Sequence, residues 1–190
     1  MNDFNKIVAK SNGKVTLQDL SGFKLIGKGA DGSVFQLSPV KCVKVYVNED
    51  TQIKELHALQ AGQSSSVIPR VYKYGSNYIV MEFINGGNLK AYLKKEKHLP
   101  KSIVKKILFM FEELKRVGFE RIDTEVRHIY FNELGEIKVI DHKRAFTTVR
   151  SVPTKLFTGL KRLGYLEEFL DRVQEINPSL YEEWRNIKIE

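Results

Sequence analysis

The chain has 190 residues, of which 42% are hydrophobic and 28% charged, and this balance excludes an intrinsically disordered protein. A single cysteine excludes an intramolecular disulfide, and the longest apolar run, residues 107–111, is far below the ~20 residues that cross a bilayer. Lys and Arg outnumber Asp and Glu by 31 to 23, which favours nucleotide phosphates, nucleic acid or an acidic protein as partner without choosing among them.

The first half of the chain is predicted to form five strands and one helix. Residues 1–20 form an extension without a defined pattern. Alternating apolar residues and turn signals then predict strands at residues 23–26, 33–37, 40–46, 71–74 and 78–83. Asn48 is predicted to cap a helix that ends near Gly62 and carries Ile53, Leu56 and Leu59 at helical spacing.

After Gly86 and Gly87 the pattern becomes mainly helical. Helices are predicted at residues 88–97, at 102–117 and through most of the chain beyond Pro153, with two short strands at 129–131 and 137–140. The chain is therefore predicted to be a single α+β domain. It would comprise the extension (1–20), a sheet-bearing lobe (21–85) and a helical lobe (86–190).

A glycine-rich run links the first two predicted strands. Gly27, Gly29, Gly32 and Val34 form a G-x-G-x-x-G-x-V pattern, in which glycines let a backbone approach phosphate oxygens closely. Taken alone, the run fits a glycine-bearing hairpin turn better than a phosphate loop. Its strand–turn–strand setting favours a flap over nucleotide phosphates rather than a dinucleotide-binding turn.

Two charged residues follow in the next strand and helix. Lys44 lies between Val43 and Val45 in a predicted strand, where a buried ammonium needs an anion. Glu55 in the following helix is a candidate partner, and the pair would aim the ammonium at α- and β-phosphates. The alternatives are an outward-facing strand lysine and a solvated helix carboxylate.

These residues together resemble the protein-kinase superfamily. The glycine run, Lys44, Glu55 and residues 81–87 match, in chain order, the family's nucleotide flap, strand lysine, helix glutamate and hinge. The resemblance covers roughly residues 23–146 and implies a two-lobed kinase-like fold with ATP bound between the lobes.

The resemblance also assigns the hinge residues. It implies that Met81 is the gatekeeper and that the backbones of Glu82 and Ile84 bind adenine. Asn88 would lie near the ribose. These assignments, with Gly27, Gly29, Gly32, Val34 and Lys44, make up the expected ATP site.

Two aspartates in the second half match the family's catalytic positions. Asp123 stands where the family has the residue that accepts the proton of the attacking hydroxyl. Asp141 follows a short hairpin, where the family has an aspartate that holds Mg²⁺, or Mn²⁺, against the phosphates. The alternative for each is a turn or capping aspartate.

The sequence departs from the family pattern around these aspartates. His128 replaces the second, amide metal ligand, and Glu125 stands where the family often has lysine. Ile122 replaces an arginine, which disfavours control through a phosphorylated loop. His142 and Lys143 replace the residues after the metal-binding aspartate. We expect His142 to pack as a core aromatic and Lys143 to restore positive charge near the γ-phosphate.

Only 49 residues follow Asp141, fewer than a full helical lobe requires. This truncation resembles small atypical kinases such as the RIO group and short bacterial eukaryotic-like kinases. The implied function is ATP-dependent phosphoryl transfer to a protein Ser/Thr hydroxyl in the cytoplasm, with autophosphorylation. The alternatives are a nucleotide-binding pseudokinase or scaffold and a small-molecule kinase. A lysine cluster at residues 90–106 is interpreted as a solvated face rather than a nucleic-acid platform.

Overall fold

The computed structural model of the protein describes residues 3–11 and 13–189. The chain divides into two compact units. One contains the residues up to Asn85 together with Asp141–Arg144, and the other contains Gly86–Ile140 and the residues from Ala145 onward. No helix within the described ranges combines the length and apolar character needed to span a membrane.

The first unit is built on an antiparallel sheet of five strands in the order β1-β2-β3-β5-β4. Its strands are β1 (Lys24–Gly29), β2 (Gly32–Ser38), β3 (Lys41–Tyr46), β4 (Val71–Tyr74) and β5 (Tyr78–Glu82). Helix α1 (Phe4–Lys10) precedes the sheet, and α2 (Glu49–Ala61) followed by a 3₁₀ turn (Gly62–Ser64) connects β3 to β4. The predicted α+β class with a five-stranded antiparallel sheet is confirmed.

One face of this sheet is a closed apolar layer. Side chains two residues apart on a strand point the same way, so alternate positions of β2, β3 and β5 line this face. Residues within 3–11 and 13–20 cover it, because Phe4, Val15 and Leu20 are buried in the same cluster. The sheet contributes Phe35, Val43, Val45, Tyr78 and Val80.

The amino-terminal segment is held to the sheet by the turn between β4 and β5. The side-chain carbonyl of Asn77 accepts a hydrogen bond from the Val15 amide at 3.0 Å, and its amide group donates to the Val15 carbonyl at 2.8 Å. The Ser76 hydroxyl donates to the Gly13 carbonyl at 3.2 Å. The sequence left this segment undefined because its partners lie about sixty residues away and no local pattern reports them.

Asn77→Ala is expected to loosen this segment. It removes both side-chain hydrogen bonds, so the free energy of unfolding should fall by about 2 kcal/mol. Limited proteolysis within residues 3–20 should become faster. Ser76→Ala is the matched control, because it removes one exposed bond and should change stability by less than about 0.5 kcal/mol. Equal cleavage of the wild type and Asn77→Ala would contradict the assignment.

Helix α2 buries Leu59 and half-buries Leu56 as their spacing predicts, but the predicted apolar position Ile53 is wrong. Asn48 caps the helix as predicted, accepting from the Thr51 amide at 3.2 Å. Ile53, however, is 55% exposed, whereas Gln52 and Glu55 are each 3% exposed. Polar side chains therefore face the first unit's interior from this helix, which requires partners for them there.

The second unit is mainly helical. Its elements are α3 (Leu89–Glu96), α4 (Lys101–Arg116), β6 (Ile129–Phe131), β7 (Ile137–Val139), α5 (Thr154–Leu163), α6 (Leu166–Ile176) and α7 (Pro178–Trp184). Trp184 packs edge-on against Phe111 and Phe157 and stacks with Phe169. The tail beyond residue 153 is thus part of this unit's core, and α4 supplies its long apolar stripe.

The lysine cluster lies mostly at the surface of the second unit. Its members are exposed except for Lys106, which donates to the Gly135 carbonyl at 2.5 Å. Lys101 forms an exposed ion pair with Glu175 at 3.2 Å. These side chains are therefore mostly solvated, and Lys101 and Lys106 have local partners.

Candidate functional site

The candidate site begins on the sheet face opposite the apolar layer. Lys44 in β3 pairs with Val34 in β2 and with Ile79 in β5. Directly paired residues share a face, and so do residues two apart on one strand. Val34, Cys42 and Met81 therefore lie on the same side of the sheet as Lys44.

Lys44 forms a buried ion pair with Glu55. The Lys44 Nζ atom lies 2.5 Å from Glu55 Oε2, and the two side chains are 15% and 4% exposed. The Lys44 ammonium also lies 4.7 Å from the ring centroid of Tyr46. Neither the outward-facing lysine nor the solvated glutamate that the sequence left open matches these positions.

Burial dominates the electrostatics of this pair. It raises the pKa of the Glu55 carboxyl, while the Lys44 ammonium opposes the shift and the charge of Asp141 adds to it. Burial likewise raises the pKa of the Tyr46 phenol, with the Glu55 charge as the next cause. Lys44 is therefore the charge that favours the ionised form of Glu55, against the burial of the pair.

The glycine run forms a tight hairpin. Strand β1 continues through Gly29, where the sequence predicted an end near residue 26, and β2 begins at Gly32, so only Ala30 and Asp31 form the turn. A Cβ atom on Gly32 would lie 2.0 Å from the Val45 carbonyl oxygen, and Gly32 has a φ of +155°. Glycine at position 32 is thus required by the sheet itself.

The sheet does not require the other two glycines. A Cβ on Gly29 would meet no atom within 4 Å, and one on Gly27 would make an ordinary contact with Val34 at 3.7 Å. Neither has a positive φ. The hairpin-turn interpretation therefore explains Gly32 but leaves Gly29 unexplained, and the open space beside Gly29 is suited to a close-lying ligand.

The segment Asp141–Arg144 brings further charges to the same unit. Asp141 adopts a left-handed conformation with φ of +69°, which is uncommon for a residue other than glycine. The Lys143 ammonium donates a hydrogen bond to the Asp31 carboxylate and lies 4.0 Å from Asp141 Oδ1. His142 is 6% exposed, consistent with the packing role that the sequence indicates. Sequence reasoning did not identify Asp31 as part of this cluster.

The residues predicted to hold a metal lie in different units. No group of three or more His, Cys, Asp or Glu side chains in the described ranges is arranged to hold a metal ion. Mg²⁺ bound with a nucleotide needs no such group, because one or two carboxylates and the phosphates supply its ligands. The Asp141 carboxylate, 27% exposed, fits that donor set. His128 belongs to the second unit, where its carbonyl accepts from the Ile140 amide at 3.0 Å.

The hinge residues lie at the end of strand β5 and just beyond it. Met81 is buried, and the Glu82 amide donates to the Arg70 carbonyl at 2.8 Å. The Glu82 carbonyl oxygen lies 3.6 Å from the Sγ atom of Cys42, a weak donor. Ile84 is half-buried in the irregular segment that follows. Asn88, predicted near the ribose, caps α3 in the second unit by accepting from the Ala91 amide at 2.9 Å.

Asp123 caps a helix within the second unit. Its Oδ1 accepts from the Lys155 amide at 2.7 Å, and the Thr154 hydroxyl donates to its Oδ2 at 3.3 Å. The Arg121 guanidinium lies 3.5 Å from the same Oδ2, and the Asp123 side chain is 2% exposed. A carboxylate at the amino end of α5 is stabilised by the unpaired amides there. The capping alternative considered from sequence is thus present.

The negative charge of Glu125 is neutralised locally. Lys155 Nζ lies 3.1 Å from Glu125 Oε1, and Arg127 lies 2.7 Å from Oε2. Partial burial raises the pKa of Glu125, but Lys155, Arg127 and His128 outweigh it, and the pKa lies below its usual value. Lys155, a residue that sequence reasoning missed, therefore offsets much of the negative charge of Glu125.

Comparisons with known proteins find several kinases similar to this chain. No family model matches it. The putative serine/threonine-protein kinase YrzF of Bacillus subtilis is 28% identical over 125 residues, which are 63% of this chain and 58% of that protein. The mitogen-activated protein kinase kinase SIPKK of Nicotiana tabacum is 24% identical over 157 residues, covering 71% of this chain and 43% of that protein. The chain spans less than two thirds of each relative's length.

Proposed function

Because this chain is related to the protein-kinase superfamily, we propose that it transfers the γ-phosphoryl group of ATP to a serine or threonine hydroxyl of a protein, including its own. The observation that carries the proposal is the buried Lys44–Glu55 ion pair in the same unit as a glycine hairpin with open space beside Gly29. A buried ammonium and exposed backbone amides both favour an anionic ligand.

In this proposal the first unit holds the triphosphate. Lys44 donates to the α- and β-phosphates while Glu55 fixes its position. The backbone at Gly27, Gly29 and Gly32 covers the phosphates, since a chain without side chains can approach their oxygens closely. The buried location of the pair strengthens this attraction, because fewer water molecules compete for the ammonium.

The base and sugar are assigned to the hinge. Met81 and Val34 would border the adenine, the backbones of Glu82 and Ile84 would hydrogen-bond it, and Asn88 would lie near the ribose. The Glu82 amide is already used within the sheet, so its carbonyl oxygen is the group proposed to accept from the adenine amino group.

Asp141 would hold the Mg²⁺ that accompanies ATP, with His128 as the proposed second ligand. When bound, the ion neutralises charge that develops on the phosphates. Carboxylate oxygen is a hard ligand of the kind that Mg²⁺ prefers, whereas imidazole suits it poorly. The protein contributes the carboxylate of Asp141, and the left-handed backbone conformation of Asp141 leads into residues 142–144.

Asp123 is proposed to orient the acceptor hydroxyl and take its proton. The capping contacts of Asp123 make a second function specific: a pseudokinase that binds nucleotide and turns over little, with Asp123 serving only the helix. Asp123→Asn separates the two, because the amide oxygen still accepts from the Lys155 amide and the Thr154 hydroxyl can accept from the amide NH2, whereas the amide is far too weak a base. If Asp123 is the base, the variant loses the turnover of the wild type with an intact fold; if Asp123 serves only the helix, the variant keeps the fold and whatever low turnover the wild type has.

The proposal is tested by incubating the purified protein with γ-labelled ATP, Mg²⁺ or Mn²⁺ and generic protein substrates. Asp141→Ala and Asp123→Asn should each lose most of the incorporated label while binding of ATP without metal persists. Asp50→Asn, at an exposed position on α2, is the control. Equal incorporation by the wild type and both variants would contradict the assigned roles. ATP binding by the wild type with no incorporation would favour the pseudokinase.

A further inference from the structure

The turn of the glycine hairpin carries an acidic side chain. Asp31 stands between Gly29 and Gly32, where a flap over phosphates would meet the triphosphate. A carboxylate there repels phosphate oxygens, so its presence needs an account. The role inferred below for Asp31 rests on the proposed nucleotide site.

The Asp31 side chain is not needed to build the turn. Gly29 and Gly32 are paired in the ladder, and the Asp31 carbonyl accepts from the Val47 amide at 3.0 Å. These are backbone interactions, which any residue at position 31 would keep. The carboxylate instead reaches out of the hairpin to Lys143, and the two side chains are 30% and 24% exposed.

Several cations converge on this one carboxylate. The Lys143 ammonium donates to it directly, and Lys44 and Arg144 are close enough to favour its charged form. Lys143 lowers the pKa of Asp31 most, while partial burial opposes the shift. Lys143 thus contacts Asp31 directly, while Lys44 remains paired with Glu55 and Asp141 Oδ1 lies 4.0 Å from the Lys143 ammonium. This is the arrangement expected of an anion site already filled by a side chain of the same protein.

We propose that Lys143 is a phosphate-binding residue whose anion position is occupied by Asp31, and that the triphosphate of a bound nucleotide displaces Asp31 from it. The Asp31–Lys143 pair holds the hairpin tip in place until then. A phosphate group carries more charge than the Asp31 carboxylate, and it binds Lys143 when it takes the place of that carboxylate. The displaced Asp31 side chain, at an exposed turn, moves into water. Binding of a triphosphate and release of the hairpin tip are therefore coupled.

The test measures ATP affinity by calorimetry in the wild type, Asp31→Asn, Lys143→Met and the double variant. Asp31→Asn should tighten binding by about 10-fold, because it removes the competing anion. Lys143→Met should weaken binding by about 10-fold, because a charge-assisted hydrogen bond is lost. In the Lys143→Met background the gain in ATP affinity from Asp31→Asn should shrink to about 3-fold, since only the repulsion between Asp31 and the phosphates remains to be relieved. Asp50→Asn, paired with Lys54 on the surface of α2, should change nothing.

A second measurement needs no nucleotide. Hydrogen exchange at residues 29–33 should be slow in the wild type and faster in Lys143→Met, because the pair anchors the turn. Inorganic triphosphate should speed exchange there in the wild type, while it leaves Lys143→Met unchanged. Asp50→Asn again serves as the control.

The two measurements separate failure of this inference from failure of the proposed function. If ATP binds all variants equally, or Asp31→Asn gives the same gain with and without Lys143, the inference is wrong and the nucleotide site stands. If ATP does not bind the wild type but inorganic triphosphate releases the hairpin tip, the kinase proposal fails and the anion site stands. If neither ligand binds, both are overturned.

Discussion

Lys44→Met is expected to lower phosphoryl transfer by about 100-fold or more, because a preorganised charge at the phosphates is typically worth that much. The side chain is close in length to lysine and lacks the ammonium, so β3 keeps its packing. The loss should appear in turnover and in ATP affinity, measured by label incorporation and calorimetry. Lys54→Met is the control: Lys54 pairs with Asp50 on the exposed side of α2, with side chains 48% and 68% exposed.

The same variant should change how stability depends on pH. Burial raises the pKa of Glu55 in the folded protein even beside Lys44, and removing the ammonium that opposes this shift should raise the pKa further. A carboxyl with a raised folded pKa contributes stability below the unfolded pKa and loses it as pH rises through the folded one. The stability that Lys44→Met loses relative to the wild type should therefore be smaller near pH 5 than near pH 8, as thermal unfolding would measure. A parallel pH profile for the two proteins would contradict the buried pair.

Gly32→Ala is expected to reduce stability, whereas Gly29→Ala is expected to leave stability almost unchanged and to weaken ATP binding. A methyl group on Gly32 would collide with the Val45 backbone carbonyl, which cannot move without breaking the pairing of β2 and β3. The free energy of unfolding should fall by about 2–4 kcal/mol, as for other backbone collisions. A methyl group on Gly29 meets nothing, so stability should change by less than about 0.5 kcal/mol.

ATP affinity then distinguishes the two glycines functionally. Gly29→Ala should weaken ATP binding by about 10-fold, since the methyl group occupies space assigned to the phosphates. Chemical denaturation and calorimetry on the same preparations give both quantities. Unchanged ATP affinity in Gly29→Ala would remove the phosphate-flap assignment and leave the run as a structural hairpin.

The five strands of the first unit and helices α2, α3 and α4 could be predicted because alternation and helical spacing are local signals, whereas α1 was not predicted. The orientation of α2 could not be predicted. Its apolar residues indicate an inward Ile53, yet the helix turns Glu55 inward, since the Lys44 ammonium on β3 offers a charge partner there. Only the chain order of Lys44 and Glu55, which matches that of the protein-kinase superfamily, indicated the pair. Spacing on the helix alone correctly indicated a buried Leu59 but placed Ile53 inward instead of Glu55.

The parts of the site that sequence missed depend on contacts between distant residues. Asp31 and Lys143 are 112 positions apart, and nothing in either neighbourhood marks them as partners. Asp123 and Lys155 are 32 apart, so the helix cap that Asp123 provides could be named only as a general alternative. The packing of residues 3–20 on the sheet through Asn77 has the same cause.

The central claim is that Lys44, held by Glu55, binds the triphosphate of ATP. A crystal structure with a non-hydrolysable ATP analogue and Mg²⁺ tests it most directly. We expect a phosphate oxygen within hydrogen-bonding distance of Lys44 Nζ, the Lys44–Glu55 pair intact and Asp141 bound to the ion. A nucleotide bound elsewhere, or one whose phosphates make no contact with Lys44, would contradict the claim.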